Sequence, residues 1–237
     1  MNQFYAEERQ ISKARIELTG QEALHASKVL RKGKGEEILI TDGRGSRYHG
    51  VIDSASKNNV SVAVKKVEKF NKSGPAVVLA LGLIKKRDRL EFALEKATEL
   101  GVSEILLFRG DHSESFNIRM DRAESAVMSA MKQSLRVFLP PVKAYPSLDE
   151  LLSHEENSQI IHADQHGDAN YCEIKKNTEC VVMVVGPEGG LSERERGVLR
   201  QAGAEGIRLG DYRLRAETAA LVMVSRYGNS AEVRPGE

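Results

Sequence analysis

The chain has 237 residues, of which 41% are hydrophobic, so it can bury the core of one large domain or of two smaller ones. Its 35 basic and 34 acidic residues nearly cancel, so affinity for an anionic partner must come from local clusters of charge. The apolar runs are much shorter than the roughly 20 residues of a membrane helix, and residues 1–4 begin no signal peptide, so we expect a cytoplasmic protein.

Residues 1–71 are predicted to form a small β-barrel with one helix. The helical pattern covers residues 19–30, with Thr19 or Gly20 near its N-cap. Strand patterns separated by turn residues cover residues 36–41, 47–52 and 60–65. Residues 70–75 are turn and linker residues, so we place a domain boundary between residues 71 and 75.

Strand and helix patterns alternate over residues 75–237. Strand-like apolar runs occur at residues 77–83, 105–108, 159–163, 181–185 and 207–209. Helical patterns occur at residues 88–100, 122–137 and 218–227. This alternation predicts an α/β domain with a mainly parallel sheet. Cys172 and Cys180 lack metal-ligand spacing and the density of a disulfide scaffold, so we expect reduced, structural cysteines and no metal site.

Ligands of such sheets bind beyond the carboxyl ends of the strands, so the two loops that follow the last two predicted strands are the candidate ligand-binding segments. The first loop, residues 186–190, contains three glycines that permit unusual backbone conformations and close approach of a ligand. The helix after it opens with the capping-box pattern of Ser192 and Glu195. Acidic residues at this helix start disfavour a phosphate, and the P-loop and dinucleotide fingerprints are absent. The loop suits a neutral or cationic ligand, or it is a long turn without one.

The second loop, residues 209–221, combines a glycine, two arginines and a glutamate with an apolar helix start that contains the small residues Ala216, Ala219 and Ala220. One interpretation is a loop fixed by an ion pair between Arg215 and Glu217. The other interpretation is one wall of a binding site. The residues alone leave the two interpretations equally favoured.

Four segments, taken together, resemble one known family. The segments GPEGGLSERE and LGDYRLRAETAAL lie in the second half, HASKVLRKGKGEEILITDGRG and KRDRLEFALEKATELGV precede them, and all four occur in the family's order. In these segments the chain resembles the RsmE family of ribosomal RNA uridine N3-methyltransferases, within the SPOUT superfamily. The resemblance implies a PUA-like RNA-binding barrel followed by a SPOUT-type α/β domain with a C-terminal trefoil knot. It also implies that the protein forms homodimers through the knot region.

The same resemblance implies a reaction and its participants. The expected activity is methylation of N3 of a uridine in 16S ribosomal RNA, within the small ribosomal subunit, with S-adenosylmethionine as methyl donor and no metal. The alternatives are a SPOUT methyltransferase that acts on another RNA site and a non-catalytic RNA-binding protein.

Site residues are carried over by position in the matching segments. The resemblance assigns cofactor binding to Ile161, His162, Ala163, Gly186, Pro187, Glu188, Gly189, Gly190, Leu209, Gly210, Leu214, Arg215, Glu217, Thr218 and Ala219. For His162 we favour the interpretation as a core histidine. Arg215 is the candidate for stabilising the uracil anion, and Glu217 for positioning Arg215 or accepting the N3 proton.

RNA binding requires positive charge near the site. The candidate RNA-binding residues are Lys28, Arg31, Lys32, Arg44 and Arg47 in the first domain and Lys86, Arg87 and Arg89 in the second. One departure from the family is Lys132, which stands where many relatives have a glutamate. The apolar final helix fits either a partner subunit or a core inside one subunit.

Overall fold

The computed structural model describes residues 2–114, 118–155, 158–167, 169–228 and 232–233. Its strands are β1 (Gln3–Tyr5), β2 (Arg15–Thr19), β3 (Glu37–Thr41), β4 (Ser46–Ala55), β5 (Asn59–Lys69), β6 (Asn71–Lys72), β7 (Ala76–Gly82), β8 (Glu104–Phe108), β9 (Val142–Tyr145), β10 (Gln159–Ala163), β11 (Cys180–Val185), β12 (Glu205–Ile207) and β13 (Glu232–Val233). Its α-helices are α1 (Gly20–Leu24), α2 (Arg87–Glu99), α3 (Met120–Gln133), α4 (Leu148–Ser153), α5 (Glu193–Gln201) and α6 (Ala216–Tyr227).

The chain divides into two compact units. The first contains Met1–Lys72, Met131–Leu139 and Glu232–Glu237, and the second contains Ser73–Ala130 and Pro140–Ala231. The sequence pattern gives no sign that residues 131–139 belong with the first unit, because they continue the apolar spacing of α3.

The first unit is built on a curled five-stranded sheet in the order β1-β3-β4-β5-β2. Its neighbouring strands are antiparallel except β1 and β3, which run parallel. One face buries an apolar cluster that includes Phe4, Ile16, Leu18 and Ile40, each with no exposed surface. This curled five-stranded sheet agrees with the predicted small β-barrel, and one α-helix, α1, accompanies it.

The helix of the first unit differs from its prediction in regularity. Helix α1 ends at Leu24, and one π-helical turn continues the path over His25–Val29. Arg31 then has a φ of 54°, which ends any helical path at this point. The predicted single α-helix over residues 19–30 is therefore wrong in its second half.

The second unit contains a six-stranded sheet in the order β12-β10-β11-β7-β8-β9. Every pair of neighbours is parallel, as the alternation of strand and helix patterns predicts. Its central strands β7, β8 and β11 are almost wholly buried, because helices cover both faces of such sheets. The carboxyl ends of β10, β11 and β12 lie side by side and lead into the loops that form the site.

Several element boundaries depart from their predictions. Helix α2 has its N-cap at Lys86 instead of Asp88, and Gly101, with a φ of 97°, follows its C-terminus. Helix α3 ends four residues before the predicted residue 137. Strand β9 and helix α4 are absent from the predictions, although Ser147 caps α4 by accepting from the Glu150 amide.

Two further expectations concern topology and membranes. The trefoil knot implied by the family resemblance stays a prediction. Among the described residues, no helix combines the length and the apolar character needed to span a bilayer.

Candidate functional site

A cavity of about 430 Å³ opens beyond the carboxyl ends of the strands in the second unit. Its wall is formed by Arg89, Ala163, Asp164, Gln165, Val185, Gly186, Pro187, Glu188, Gly189, Gly190, Leu191, Arg196, Arg208, Leu209, Gly210, Tyr212, Arg213, Leu214, Arg215, Ala216 and Ala219. This volume lies within the roughly 300–1,000 Å³ of typical small-molecule sites. Both loops selected from the sequence contribute to the wall.

The glycine-rich loop after β11 is closely packed against the protein itself. A Cβ on Gly186 would lie 2.8 Å from the Leu191 nitrogen, and one on Gly189 would lie 2.6 Å from the His112 Cβ. Gly190 has a φ of 76° and donates its amide to the Pro187 carbonyl at 2.8 Å, closing a turn. The loop therefore needs its glycines for the packing of the protein, whether or not a ligand is bound.

Two neighbouring loops hold the glycine-rich loop from outside. The loop after β8 places His112 Nδ1 3.1 Å from the carbonyl oxygens of both Gly189 and Gly190. The loop after β7 donates the Lys85 amide to the Glu188 carboxylate at 3.1 Å. The carboxylate of Glu188 is thus used in positioning the loop.

The start of α5 adds a third support. Ser192 and Glu195 form the predicted capping box, and Glu195, fully buried, also accepts from the Asp111 amide at 3.1 Å. Arg194 bridges Asp111 and Asp149 at 2.8 and 2.7 Å. Hydrogen bonds from Arg194 and Ser192 lower the pKa of Asp111 to about 2, so this network is charged at neutral pH.

The second loop is tied to the body of the unit by Arg226. Its guanidinium donates to the Leu209 carbonyl at 2.8 Å and to the Asn170 carbonyl at 2.6 Å. Helix α6 begins at Ala216, two residues earlier than predicted, and has Arg215 as its N-cap residue. Arg226 therefore holds the second loop at its start, and helix α6 holds it at its end.

Five arginines line the cavity, and three of them are engaged with other side chains. Arg196 pairs with Asp164 at 2.8 Å, Arg208 donates to Asn170 at 3.2 Å, and Arg89 lies 3.6 Å from Glu217. The two others, Arg213 and Arg215, are exposed and form no ion pair within the described part of the chain.

This charge distribution revises the reasoning from the sequence. The acidic residues of the glycine-rich loop suggested a site for a neutral or cationic ligand, but the cavity as a whole is rich in arginine. Burial alone would raise the pKa of Asp164, but hydrogen bonds from the His166 amide and from Arg196 lower it overall. The cavity thus combines a loop that offers backbone groups with a cationic rim.

Eleven of the fifteen predicted cofactor residues line the cavity. They are Ala163, Gly186, Pro187, Glu188, Gly189, Gly190, Leu209, Gly210, Leu214, Arg215 and Ala219. The others lie outside the lining. Ile161 is fully buried, and His162 is buried, with its pKa lowered by desolvation. Thr218 is exposed, and Glu217 is only 6% exposed.

One of the two interpretations of the second loop, an ion pair between Arg215 and Glu217, is wrong. Among the described residues, Glu217 has Arg89 as its ionic partner, and Arg215 has none. Their spacing along the chain suggested the pair, but Arg215 precedes α6 whereas Glu217 points into the unit from its first turn.

Sequence reasoning missed several residues of the wall. These are Asp164, Gln165, Val185, Leu191, Arg196, Arg208, Tyr212, Arg213 and Ala216. Most of them directly follow a predicted strand or lie inside one of the two selected loops. A prediction that assigned every residue of these loops to the site would have included them. The supporting loop around His112 follows β8, whose carboxyl end lies at the same edge of the sheet.

Some of the candidate RNA-binding side chains are exposed, and others already contact groups of the protein itself. In the first unit Lys28 and Arg31 are exposed, whereas Lys32 donates to the Glu37 carbonyl at 2.9 Å. Arg44 pairs with Glu8, and Arg47 stacks over the Phe70 ring at 4.9 Å.

The candidate RNA-binding residues of the second unit likewise include one exposed side chain and two that lie near carboxylates. Lys86 is exposed, and Arg87 lies 3.4 Å from Glu91. Arg89 belongs to the cavity wall, 3.6 Å from Glu217.

Lys132, the departure from the family pattern, forms an ion pair with Glu22 inside the first unit. Both side chains are mostly buried, with 19% and 17% exposure. Glu22 also accepts from the Tyr5 amide at 3.2 Å. A lysine at this position is thus matched by a carboxylate from α1.

Comparison with known proteins identifies the family. A family model described as an RNA methyltransferase domain matches residues 71–228, and one described as an RNA methyltransferase PUA domain matches residues 18–65. The ribosomal RNA small subunit methyltransferase E of Rickettsia conorii is 26% identical over 231 residues, covering 95% of this chain and 94% of that protein. The Bacillus subtilis protein of the same name is 27% identical over 235 residues, covering 93% and 92%.

Solved structures give the same result. The ribosomal RNA small subunit methyltransferase E from Neisseria gonorrhoeae, bound to S-adenosyl methionine, matches with a TM-score of 0.84 and 29% identity, covering 95% of this chain and 96% of that one. A probable rRNA-methyltransferase from Porphyromonas gingivalis matches with a TM-score of 0.84 and 30% identity, covering 96% and 97%. The predicted combination of a PUA-like domain and an α/β methyltransferase domain is confirmed, and the chain belongs to the RNA methyltransferase family.

Proposed function

We propose that this protein transfers a methyl group from S-adenosylmethionine to N3 of a uridine in 16S ribosomal RNA of the small ribosomal subunit. The observation that carries the proposal is the cavity beyond β10, β11 and β12, whose wall holds eleven of the fifteen residues assigned from the family resemblance. The relatives named ribosomal RNA small subunit methyltransferase E support the choice of RNA, and the cofactor in the Neisseria gonorrhoeae structure supports the methyl donor.

The residues present fit this cofactor. The turn closed by Gly190 and Pro187 offers main-chain groups at the cavity wall, and Ala163, Ala216 and Ala219 provide small apolar surfaces beside an adenine-sized group. A cationic guanidinium such as Arg208 suits the cofactor's carboxylate. When bound, S-adenosylmethionine would supply a methyl group on a positively charged sulfur: a bond from the uracil nitrogen to the methyl carbon would form as the carbon–sulfur bond breaks, with S-adenosylhomocysteine as the leaving group.

The protein's main task is then to orient the uracil and to stabilise its charge. Loss of the N3 proton to solvent water leaves an anion, and a preorganised cation beside it favours that state. Arg215 lies at the cavity and has no carboxylate partner among the described residues, so it is available for this role. Glu217, 6% exposed and outside the lining, is better suited to holding Arg89 in the wall than to accepting the proton.

RNA binding by the first unit is part of the proposal. Lys28 and Arg31 are exposed near the end of the helical segment, where they can meet phosphates. Because ribosomal RNA is the substrate, we also propose that the protein works in the cytoplasm.

A homodimer through the knot region completes the proposal. Val224 of α6 is fully buried within the chain, whereas Leu221 and Val222 of the same helix are partly exposed. These two side chains therefore provide apolar surface on α6 that can meet a second subunit.

Methyl transfer tests the proposed function directly. Radiolabelled S-adenosylmethionine and the protein are incubated separately with small ribosomal subunits, with free 16S RNA and with transfer RNA. Label on small-subunit RNA supports the proposal, and label on another RNA favours a related methyltransferase with a different target. Cofactor binding without label on any RNA contradicts the stated target, and loss of cofactor binding as well favours a non-catalytic RNA-binding protein.

Arg215→Ala tests the proposed electrostatic role. We expect a loss of roughly 100- to 1,000-fold in kcat, the range for removal of one preorganised donor, with cofactor and RNA affinities retained. Arg200→Ala is the matched control, because Arg200 is an exposed arginine outside the cavity wall. An Arg215→Ala variant that methylates at the wild-type rate excludes this role.

A further inference from the structure

Tyr212 is the most exposed large hydrophobic side chain of the cavity wall. It lies in the loop between β12 and α6, and 86% of its surface is accessible. Single exposed aromatic residues are common on protein surfaces and need no function. A tyrosine exposed to this degree at the edge of a ligand cavity is more informative, because a planar ligand entering that cavity can cover its ring.

The neighbours of Tyr212 indicate the chemistry of that ligand. Arg213 and Arg215, which follow it in the loop, are the two cavity arginines whose side chains contact no other side chain by an ion pair or a hydrogen bond among the described residues, whereas Arg208 donates to Asn170. Exposed aromatic rings beside available cations are typical of surfaces that bind unpaired nucleotides, where rings stack on bases and cations meet phosphates. Arg89 and Arg196, by contrast, are already paired with Glu217 and Asp164.

The proposed reaction requires an unpaired base. In a paired uridine N3 takes part in the Watson–Crick hydrogen bond, so the enzyme must act on a single-stranded or displaced nucleotide. Stacking on a side chain compensates for the lost base stacking and uses only the ring face. The Watson–Crick edge, with N3, then remains free to face the methyl donor.

We propose that Tyr212 stacks on the target uracil and that Arg213 holds an adjoining phosphate. This inference rests on the proposed function and goes beyond it, because it names the residues that receive the substrate base. The substrate class is an RNA whose target uridine is unstacked or can be displaced at low cost.

Steady-state kinetics of Tyr212→Ala and Tyr212→Phe test the inference. Loss of a stacked base is expected to raise KM for RNA about 5- to 150-fold in Tyr212→Ala. Tyr212→Phe keeps the ring and should behave like the wild type, and the cofactor Kd should not change in either variant. Tyr171→Ala is the control, because Tyr171 is 53% exposed, lies outside the cavity wall and stacks on Tyr227.

The outcomes separate this inference from the proposed function. An unchanged KM for RNA in Tyr212→Ala, in a protein that still methylates, overturns the stacking role and leaves the function intact. A rise in the cofactor Kd as large as the rise in KM would place Tyr212 against the cofactor instead, and would overturn it too. A wild-type protein that methylates no RNA removes the proposed function and this inference with it.

Discussion

Substitution of Gly82 by alanine should displace the glycine-rich loop from behind. Gly82 ends β7, and a Cβ there would lie 2.5 Å from both the nitrogen and Cδ of Pro187 and 2.9 Å from the Gly186 carbonyl carbon. Ordinary contacts between heavy atoms need about 3.5 Å, so the loop must move by about 1 Å. These atoms belong to the backbone and to a proline ring, so no side-chain rotation relieves the clash.

Both stability and activity should respond to this movement. Overpacking of this kind costs about 1–3 kcal/mol. For a chain of this size each kcal/mol lowers Tm by about 2–4 °C, so we expect a decrease of about 2–12 °C. A misplacement of about 1 Å in a positioning loop lowers the rate on the order of 100-fold, and the cofactor Kd should rise with it.

Calorimetric unfolding, cofactor titration and methyl transfer measure these three effects. Gly197→Ala is a matched control, because its Cβ would meet nothing closer than Arg200 Nη2 at 3.9 Å within α5. That substitution should stabilise the protein by about 0.5–1 kcal/mol. A Gly82→Ala protein with wild-type Tm and cofactor affinity would refute the claim that this packing sets the position of the loop.

Two other predictions concern buried charge. Arg89→Met leaves the carboxylate of Glu217, 6% exposed, without its counter-ion and should destabilise the protein by about 1–3 kcal/mol. Adding Glu217→Gln should recover part of that loss in denaturant unfolding, and simple additivity of the two effects would contradict the coupling. Burial lowers the pKa of His162 in the folded protein below the usual value of 6.5. At pH values below 6.5 the unfolded protein therefore binds more protons at this residue than the folded protein does, so the free energy of unfolding falls as the pH drops. Between pH 8 and pH 5, the decrease of Tm should be smaller in His162→Gln than in the wild type, and unchanged in the exposed control His166→Gln. Parallel curves of Tm against pH for the wild type and both variants would contradict a role of His162 in this pH dependence.

Local patterns predicted the parts of the fold that depend on neighbours in sequence. The capping box of Ser192 and Glu195 forms both of its hydrogen bonds. The alternation of apolar runs and helical stripes predicted the parallel sheet, because a strand covered on both faces lacks a polar side. The same reasoning could have found α4, since Ser147 and Glu150 form an N-terminal capping pattern before an apolar run.

Contacts between distant segments could not be predicted in this way. His112 approaches the carbonyl of a glycine 77 residues away, and Lys132 meets Glu22 across 110 residues. No periodicity relates such positions, because only the folded chain brings these segments together. The ionic partner of Glu217 could not be predicted for the same reason, because Arg89 lies on α2, far from Glu217 in sequence.

The turn of π-helix after α1 illustrates a third limit. Residues 19–30 carry an ordinary helical pattern, and that pattern is nearly the same whether a turn is of the α or the π type. The positive φ of Arg31 then ends the segment without a glycine, the residue that usually marks such a position.

The position of the methyl group on ribosomal RNA tests the central claim most directly. Small subunits from cells that lack this protein are treated with the protein and S-adenosylmethionine, and the modified nucleoside is identified by mass spectrometry and located by reverse transcription. A methyl group on N3 blocks the Watson–Crick edge, so we predict 3-methyluridine and one new stop at a single position in 16S RNA. A methyl group on another atom, on another nucleotide or on a different RNA would contradict the account.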